Sequence, residues 1–151
     1  MAKYDLISDL TEVVGAVQTL SGTTPNNSAL FDTRGYGSLR VSLLTGTVTA
    51  AGFTLKLQES DTTVGTDFTD VAAQDILPAR GATATTITVT TNGANGISAG
   101  ALGYVGNKRY VRAVLTGTTG TNATVQVKGL LGHPSSASAP VAAIGATVAA
   151  T

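Results

Sequence analysis

Residues 36–59 read YGSLRVSLLTGTVTAAGFTLKLQE, and this stretch decides the fold class. Apolar side chains alternate with polar ones in both of its halves: Leu39, Val41 and Leu43, then Phe53, Leu55 and Leu57. Because successive side chains of a strand point to opposite faces, each half predicts a strand with one buried face. The short, small-residue connection at 46–52 predicts an antiparallel hairpin between them.

The same alternation recurs along the centre of the chain. Further strands are predicted at residues 28–33, 67–72, 85–91, 108–116 and 121–131. Gly and Asn mark the turns, with NGANG at 92–96, and residues 117–120 predict a second hairpin. Seven or eight short antiparallel strands predict an all-β fold, a single β-sandwich or jelly-roll-like domain.

The strand pattern divides the chain into three parts. Residues 25–132 form the predicted β-sandwich domain, and residues 1–24 precede it as an N-terminal arm. The arm has roughly helical apolar spacing, but Val13, Val14 and Gly15 weaken a helix, so an extended arm and a short helix both stay open. Residues 133–151 are an uncharged Ala-, Ser- and Pro-rich tail, which we expect to become ordered where a neighbour receives it.

Composition favours a surface that other subunits cover. The 151 residues include only 12% charged residues, and the net charge is zero, against about 25% charged residues in an ordinary soluble domain. A neutral but soluble surface is one interpretation, and a surface covered by neighbouring subunits is the other. We favour the second, because low net charge lowers the barrier to association.

The few charges are unevenly placed. All nine acidic residues lie between Asp5 and Asp75, and residues 1–75 contain four basic ones, which gives 4 − 9 = −5 for this part of the chain. From Ile76 onward there are five basic residues and no acids, which gives +5. The halves either interleave and pair their charges internally or present complementary patches between subunits. Neither arrangement has the basic excess that nucleic-acid binding requires.

The absent residue types exclude several classes of site. Without cysteine there is no disulfide, thiolate nucleophile or cysteine metal site. Residues 1–10 lack the pattern of a secretory signal, and no apolar run approaches the roughly 20 residues that span a bilayer. We therefore expect a protein made in the cytoplasm, with no membrane partner.

The candidates for chemistry are few. His133 is the single histidine, and a catalytic role would need a nucleophile and a positioned carboxylate, so we interpret it as a solvated loop residue. Four carboxylates lie in residues 59–70: Glu59, Asp61, Asp67 and Asp70. They suggest either a calcium site or a loop held by Asp and Thr turn bonds, and the spacing favours the loop. As paired acids of a glycosidase they lack an aromatic cleft. We predict no enzyme, cofactor, metal or small-molecule substrate.

The segment RYVR at 109–112 could form a cationic surface, but one strand with arginines on both faces, paired to the acidic half, is the favoured interpretation. With the apolar residues of both termini, its arginines are our candidates for a subunit interface: Tyr4, Leu6, Ile7, Leu10, Arg109, Arg112, Val141, Ile144 and Val148.

Four segments in order carry a family resemblance: DTRGYGSL (32–39), TLKLQESD (54–61), DFTDV (67–71) and KRYVRA (108–113). Over roughly residues 4–131 the chain resembles small structural proteins of tailed bacteriophages, generally of β-sandwich or jelly-roll type. The resemblance implies a capsid decoration or cement protein, with no catalytic residues to carry over.

That resemblance also implies partners and a location. The partners would be the major capsid protein and further copies of the chain, on the outer capsid surface of a virion assembled in the host cytoplasm. Extended termini would reach onto neighbouring subunits. Two alternatives stay open: a head–tail connector or tail component, and a carbohydrate-binding β-sandwich for host adhesion.

Overall fold

The computed structural model describes residues 9–48, 51–79, 82–83, 85–90 and 97–135. Within these ranges the chain forms twelve β-strands and two short 3-10 turns, Gly65–Asp67 and Ala73–Asp75. The strands are β1 (Leu10–Ser21), β2 (Asn26–Asn27), β3 (Phe31–Asp32), β4 (Tyr36–Val48), β5 (Phe53–Ser60), β6 (Thr69–Asp70), β7 (Ile76–Ala79), β8 (Ala82–Thr83), β9 (Thr86–Val89), β10 (Ile97–Tyr104), β11 (Tyr110–Gly117) and β12 (Asn122–Pro134). The predicted all-β class is confirmed, with more strands than the seven or eight expected.

The strands form two antiparallel sheets. Sheet A has the strand order β1-β12-β4-β10-β7. Sheet B has the order β2-β11-β5-β9-β8, and β3 and β6 add to β11 and β5 respectively. Every pairing between the described strands is antiparallel. The two sheets pack together as a sandwich around a shared core.

Phe31 joins the two sheets within this core. It is fully buried on β3 of sheet B, and its ring lies against the backbones of β1 and β12 in sheet A. A Cβ atom on either Gly15 or Gly129 would lie 2.6 Å from a ring carbon. Both positions therefore need glycine because the aromatic ring occupies the side-chain space.

The faces predicted from alternation are confirmed. The inward-facing residues of β4, β5, β9 and β12 are buried: Leu39, Val41, Leu43, Phe53, Leu55, Leu57, Ile87, Val89, Ala123, Val125 and Val127. In β11, Val111, Ala113 and Leu115 are buried as predicted, and Val114 is buried as well, while Tyr110 and Arg112 point outward and are half-buried. Burial of one face of each strand is what holds the sandwich together.

Both predicted hairpins are wrong. β4 lies in sheet A and β5 in sheet B, so the chain crosses between the sheets after β4. β11 and β12 are likewise in different sheets, although the connection at 117–120 is short. Alternation shows which face of a strand is buried, but it does not show which strand lies beside it.

The structure also corrects the predicted N-terminal arm, residues 1–24. Leu10–Ser21 is neither a helix nor an arm: it is β1, an edge strand of sheet A paired along its length with β12. Leu20 is buried in the core, and Val13 and Ala16 pack against it. The sandwich therefore begins at least as early as Leu10, and it continues to Pro134 at the end of β12.

Candidate subunit interface

The two ends of the described chain meet at one end of the sandwich. Leu10, the first residue of β1, pairs with Gly132, and Pro134 pairs with Tyr36. The Ser135 N–H then donates to the Gly35 carbonyl oxygen at 2.8 Å. Residues 1–8 and 136–151 are consequently attached at the same end of the domain. The predicted interface residues Tyr4, Leu6, Ile7, Val141, Ile144 and Val148 lie outside the described residues.

An open groove of about 350 Å³ lies at this same end. It runs between the segment leading into β4 and the connection from β10 to β11. Its polar rim comprises Arg34, Tyr36, Ser38, Asn107 and Arg109. Two cationic side chains and several neutral polar ones thus line the groove next to the point where the terminal segments attach.

Tyr104 forms the buried wall of the groove. Its side chain is buried, and its hydroxyl donates to Glu59 Oε2 at 2.6 Å and accepts from the Lys108 N–H at 2.8 Å. Burial and the Glu59 carboxylate raise the pKa of the phenol well above its ordinary value. The phenol therefore stays neutral and fixes the β10–β11 connection in place.

Arg109 is held within its own subunit. Its Nε and a terminal nitrogen donate to the two Asp32 oxygens at 3.1 and 2.8 Å, which is a two-point contact. The hydrogen bond from Arg109 keeps the pKa of Asp32 below its ordinary value. Thr33 adds hydrogen bonds to the carbonyl oxygens of Lys108 and Arg109. Arg109 therefore ties β3 to β11 at the groove rim, and it remains partly exposed there.

Arg112 lies on the outer face of sheet B, away from the groove. Its guanidinium donates to Gln58 Oε1 at 3.0 and 2.7 Å and to the Gly65 carbonyl at 3.2 Å. The same group lies over the Phe68 ring, 4.2 Å from its centre, in a cation–π contact. Arg112 thus holds the segment 61–70 against sheet B. Because Arg112 lies away from Leu10 and Arg109, these predicted interface residues do not form one patch.

The ion pairs decide between the two explanations of the charge asymmetry. Of the four ion pairs between described residues, three join an acid of the first half to a base of the second: Asp61–Lys108, Asp32–Arg109 and Glu12–Lys128. The fourth, Asp70–Lys56, lies within the first half. The two halves therefore interleave, and these three pairs are made within the subunit.

The carboxylates of residues 59–70 each have a separate partner. Asp61 binds Lys108, Asp70 binds Lys56 and Gln58, and Glu59 accepts from Tyr104. Asp67 accepts from the Thr62 hydroxyl at 2.6 Å, within a turn that Ser60 also stabilises. In the described part of the chain, no three metal-binding side chains converge. The geometry is that of a loop held by local turn bonds.

His133 is exposed at the end of β12 and has a positive φ of 54°. Its Nδ1 lies 2.9 Å from the Ser38 hydroxyl oxygen, a contact that sequence reasoning missed because the residues are far apart in the chain. A serine–histidine nucleophile also needs a group that orients the imidazole. Among the described residues, Ser38 is the hydrogen-bond partner of this side chain.

The outer face of sheet A is a surface that sequence reasoning missed. Val14, Val17 and Leu77 are large apolar side chains exposed on β1 and β7. Beside Val17 is a shallow groove of about 320 Å³, lined by residues of β4 and β12 such as Leu44 and Gln126. The one ion pair on this face of the described structure joins Glu12 to Lys128. This surface is therefore less polar than the opposite face of the sandwich.

Comparisons with known proteins bear on the fold. No protein-family model matches the chain, and no curated protein matches its sequence. One similar solved structure is the SPBc2 prophage-derived protein YomS, with a TM-score of 0.50 and 14% sequence identity. The likeness covers 82% of this chain and 92% of that one. At this identity the comparison establishes a shared fold.

Within the described ranges, no helix is long and apolar enough to span a bilayer.

Proposed function

We propose that this chain is a non-enzymatic structural protein of a tailed-phage virion. It decorates the outer capsid surface and stabilises the capsid by binding across neighbouring major capsid subunits. The observation that carries the proposal is the attachment of both terminal segments at one end of a rigid sandwich, beside an open groove.

This arrangement suits a protein that must contact several subunits together. Two segments leaving one end of the domain reach different neighbours while the groove contacts a third surface. Weak contacts made together give avidity far above any single contact. A terminal segment can also add a strand to a neighbour's sheet edge, where main-chain hydrogen bonds provide the affinity.

The charge distribution supports the same role. Arg109, Lys108 and Lys128 are occupied by acids of their own subunit. The remaining surface of sheet A carries exposed Val14, Val17 and Leu77. Interface centres are poor in charged residues, and covering an apolar surface removes little favourable hydration.

A phage origin rests on two likenesses. The ordered segments from DTRGYGSL to KRYVRA resemble tailed-phage structural proteins. The structural neighbour YomS is described as prophage-derived. A likeness of this kind supports the fold directly and the phage role by analogy.

Electron microscopy of purified particles tests the position. The proposal predicts density for this chain repeated regularly over the capsid lattice. Density confined to one vertex would instead identify a head–tail or tail component. Absence of the chain from the particles would contradict a virion role altogether.

Truncation tests the terminal segments. Because Leu10–Ser21 is a strand of sheet A, the deletions are limited to residues 1–8 and 136–151. The doubly truncated chain is expected to occupy fewer capsid sites and to protect particles less against heat. Unchanged occupancy and heat resistance would show that the segments do not dock.

A glycan array tests the carbohydrate-binding alternative. Sugar-binding surfaces use exposed aromatic platforms, but Phe31, Phe53, Phe68 and Tyr104 are all buried. We therefore expect no glycan binding, and a reproducible signal would favour host adhesion over capsid decoration.

A further inference from the structure

Sheet A ends in a strand unlike the other sheet edges of the described structure. β1 is twelve residues long, whereas β7, at the other edge of sheet A, has four residues and contains Pro78. At the edges of sheet B, β2 and β8 have two residues each. Short edges and prolines are common protections against unwanted strand pairing, because they leave few free main-chain groups.

β1 lacks most of these protections. It contains no proline and no lysine, the residues that proteins commonly place on exposed edges. Its one charged residue, Glu12, is paired with Lys128 on the neighbouring strand. A bulge at Gly15 interrupts the strand, and the Gly15 carbonyl oxygen there accepts from the Ala29 N–H at 2.7 Å. The six residues Ala16–Ser21 beyond this point pair regularly with β12 and form the longest uninterrupted part of the edge.

The side chains along β1 are also suited to being covered. Val14 is 54% exposed and Val17 is 66% exposed, the highest value among the exposed large apolar residues of the described structure. On the inner side of the strand, Gln18 Nε2 is buried and has no hydrogen-bond partner in the described part of the chain. A strand placed beside β1 would cover the valines and bring acceptor groups towards this amide.

We propose that β1 receives residues 141–151 of a second copy of this chain as an added strand. The proposal rests on the edge itself and does not depend on the capsid role. The donated segment is Val141–Thr151, which follows Pro140 and contains no charge and no further proline. Alternate residues of this segment form an entirely apolar set: Ala142, Ile144, Ala146, Val148 and Ala150.

Length and charge match the donor to the edge. Eleven residues in extended form cover about 36 Å, which is enough to pair with the roughly 20 Å of Ala16–Ser21 beyond the bulge. The five residues 136–140 provide a connection of up to about 17 Å from Ser135. Because neither the edge nor the segment carries an unpaired charge, the pairing should be nearly independent of salt.

The direction of the chain favours a second copy over the same copy. Ser135 is bonded to Gly35, on the β4 side of β12 and away from the free edge of β1. A segment turning back from this end would run in the direction of β1, which is a parallel pairing in an otherwise antiparallel sheet. A segment from another molecule can approach antiparallel, the arrangement that every other described strand pair adopts.

Light scattering and peptide binding test the proposal on purified full-length protein. We expect the 15.1 kDa chain to self-associate as its concentration rises. A full-length variant with Ile144→Lys and Val148→Lys should stay monomeric. A synthetic peptide of residues 141–151 should bind that variant, because its β1 edge is intact and its own segment is disabled.

Substitutions on the edge identify the receiving strand. Adding Val14→Lys and Val17→Lys to the receptor should weaken peptide binding by at least about tenfold, since lysine on an edge opposes strand addition. Leu77→Lys is the matched control, because Leu77 is similarly exposed on the opposite edge strand. It should change affinity by less than about twofold. Circular dichroism confirms that each variant is folded.

Three outcomes would overturn the proposal. If the wild-type chain is monomeric at all concentrations, its copies do not pair and the proposal is wrong. Self-association that survives Ile144→Lys and Val148→Lys but is lost with Val14→Lys and Val17→Lys would show that β1 pairs with β1 of the other copy. Equal peptide binding with and without the β1 lysines would place the receiving surface elsewhere.

Discussion

The outer face of sheet B carries Arg112, Gln58, Lys56 and Asp70 in one hydrogen-bonded network, whereas the outer face of sheet A carries exposed Val14, Val17 and Leu77. On sheet B, Phe68 and the segment 61–70 fold over the strands and cover them. On sheet A, the described chain places no comparable cover. The outer face of sheet B is therefore covered by a segment of its own chain, whereas the outer face of sheet A is exposed in the described structure.

This difference shows how a chain with so few charges uses them. The ion pairs of Asp70, Asp61 and Asp32 are all made by residues of sheet B and its connections. They hold loops onto that sheet, where each contact is local. Among the exposed side chains of sheet A, Val14, Val17 and Leu77 are large and apolar, and such side chains suit a surface that another molecule covers.

The largest predicted effect concerns the residue that joins the two sheets. Phe31→Ala should lower the free energy of unfolding by about 3–5 kcal/mol, because it removes a fully buried ring that packs on Gly15 and Gly129. Urea denaturation measures the loss. The exposed Val64→Ala is the control and should change stability by less than about 0.5 kcal/mol. A loss below about 1 kcal/mol for Phe31→Ala would mean that β1 is held to the core in another way.

The next effect compares one arginine from each outer face. Arg112→Ala should cost about 1–2 kcal/mol, because hydrogen bonds to Gln58 and Gly65 and the contact with Phe68 are lost. Arg40 is exposed on β4 of sheet A, and Arg40→Ala should lower the free energy of unfolding by less than about 0.5 kcal/mol. Protease cleavage within 61–67 should accelerate only in the Arg112 variant. Equal losses of unfolding free energy from the two substitutions would contradict the predicted difference between the outer faces of the two sheets.

Acid should loosen sheet B before sheet A. Hydrogen bonds from Arg109, Lys108 and Lys56 hold the pKa values of Asp32, Asp61 and Asp70 below the ordinary 3.8. A carboxylate with a lowered folded-state pKa contributes stability that is full above its unfolded pKa and is lost as the pH falls through the folded value. Between about pH 4 and pH 2, stability should therefore fall, and Asp32→Asn should reduce the steepness of that fall.

Proteolysis with an acid protease locates the acid effect. Cleavage in the segment 61–70 should begin at a higher pH than cleavage in β1. Earlier cleavage in β1 would contradict the assignment of these carboxylates to sheet B.

The smallest effect belongs to the ion pair on sheet A. Lys128→Met removes the partner of Glu12 and should change stability by less than about 1 kcal/mol, since both side chains are partly exposed. Thermal unfolding at low and high salt measures it. A loss above about 1.5 kcal/mol would show that β1 depends on this pair rather than on its apolar contacts.

The alternation of residues was sufficient to predict strand faces but not strand neighbours. Leu55 and Lys56 are correctly assigned to opposite faces of β5, because burial acts on each strand separately. β5 lies between β11 and β9, both later in the chain, and it does not pair with β4 as a hairpin would require. Which sheet a strand joins depends on packing between distant segments, and no local pattern records it.

β1 was missed for an identifiable reason. The bulge at Gly15 inserts one residue, so Val14 and Val17 lie on the same face three positions apart. That spacing resembles a helix more than a strand, and it broke the period of two that marks the other strands. β10 was missed because its sequence, ISAGALGY, is rich in Gly and Ala, which have low strand propensity.

The candidate interface residues stay a prediction, but the structure places some of them. Leu10 and Arg109 lie at the end of the sandwich where the terminal segments attach, whereas Arg112 lies on the outer face of sheet B. Sequence position alone cannot show that Leu10 and Gly132 are neighbours. It also cannot show that Val14 and Val17 are exposed, because apolar residues in a strand are expected to be buried.

Hydrogen–deuterium exchange on dilute, monomeric protein and on protein bound to capsids, its proposed partner, tests the contrast between the two faces most directly. The account predicts new protection of amides in Leu10–Ser21 on binding, with no change in residues 61–70. Protection that appears in residues 61–70 while β1 exchanges as in the free protein would contradict it.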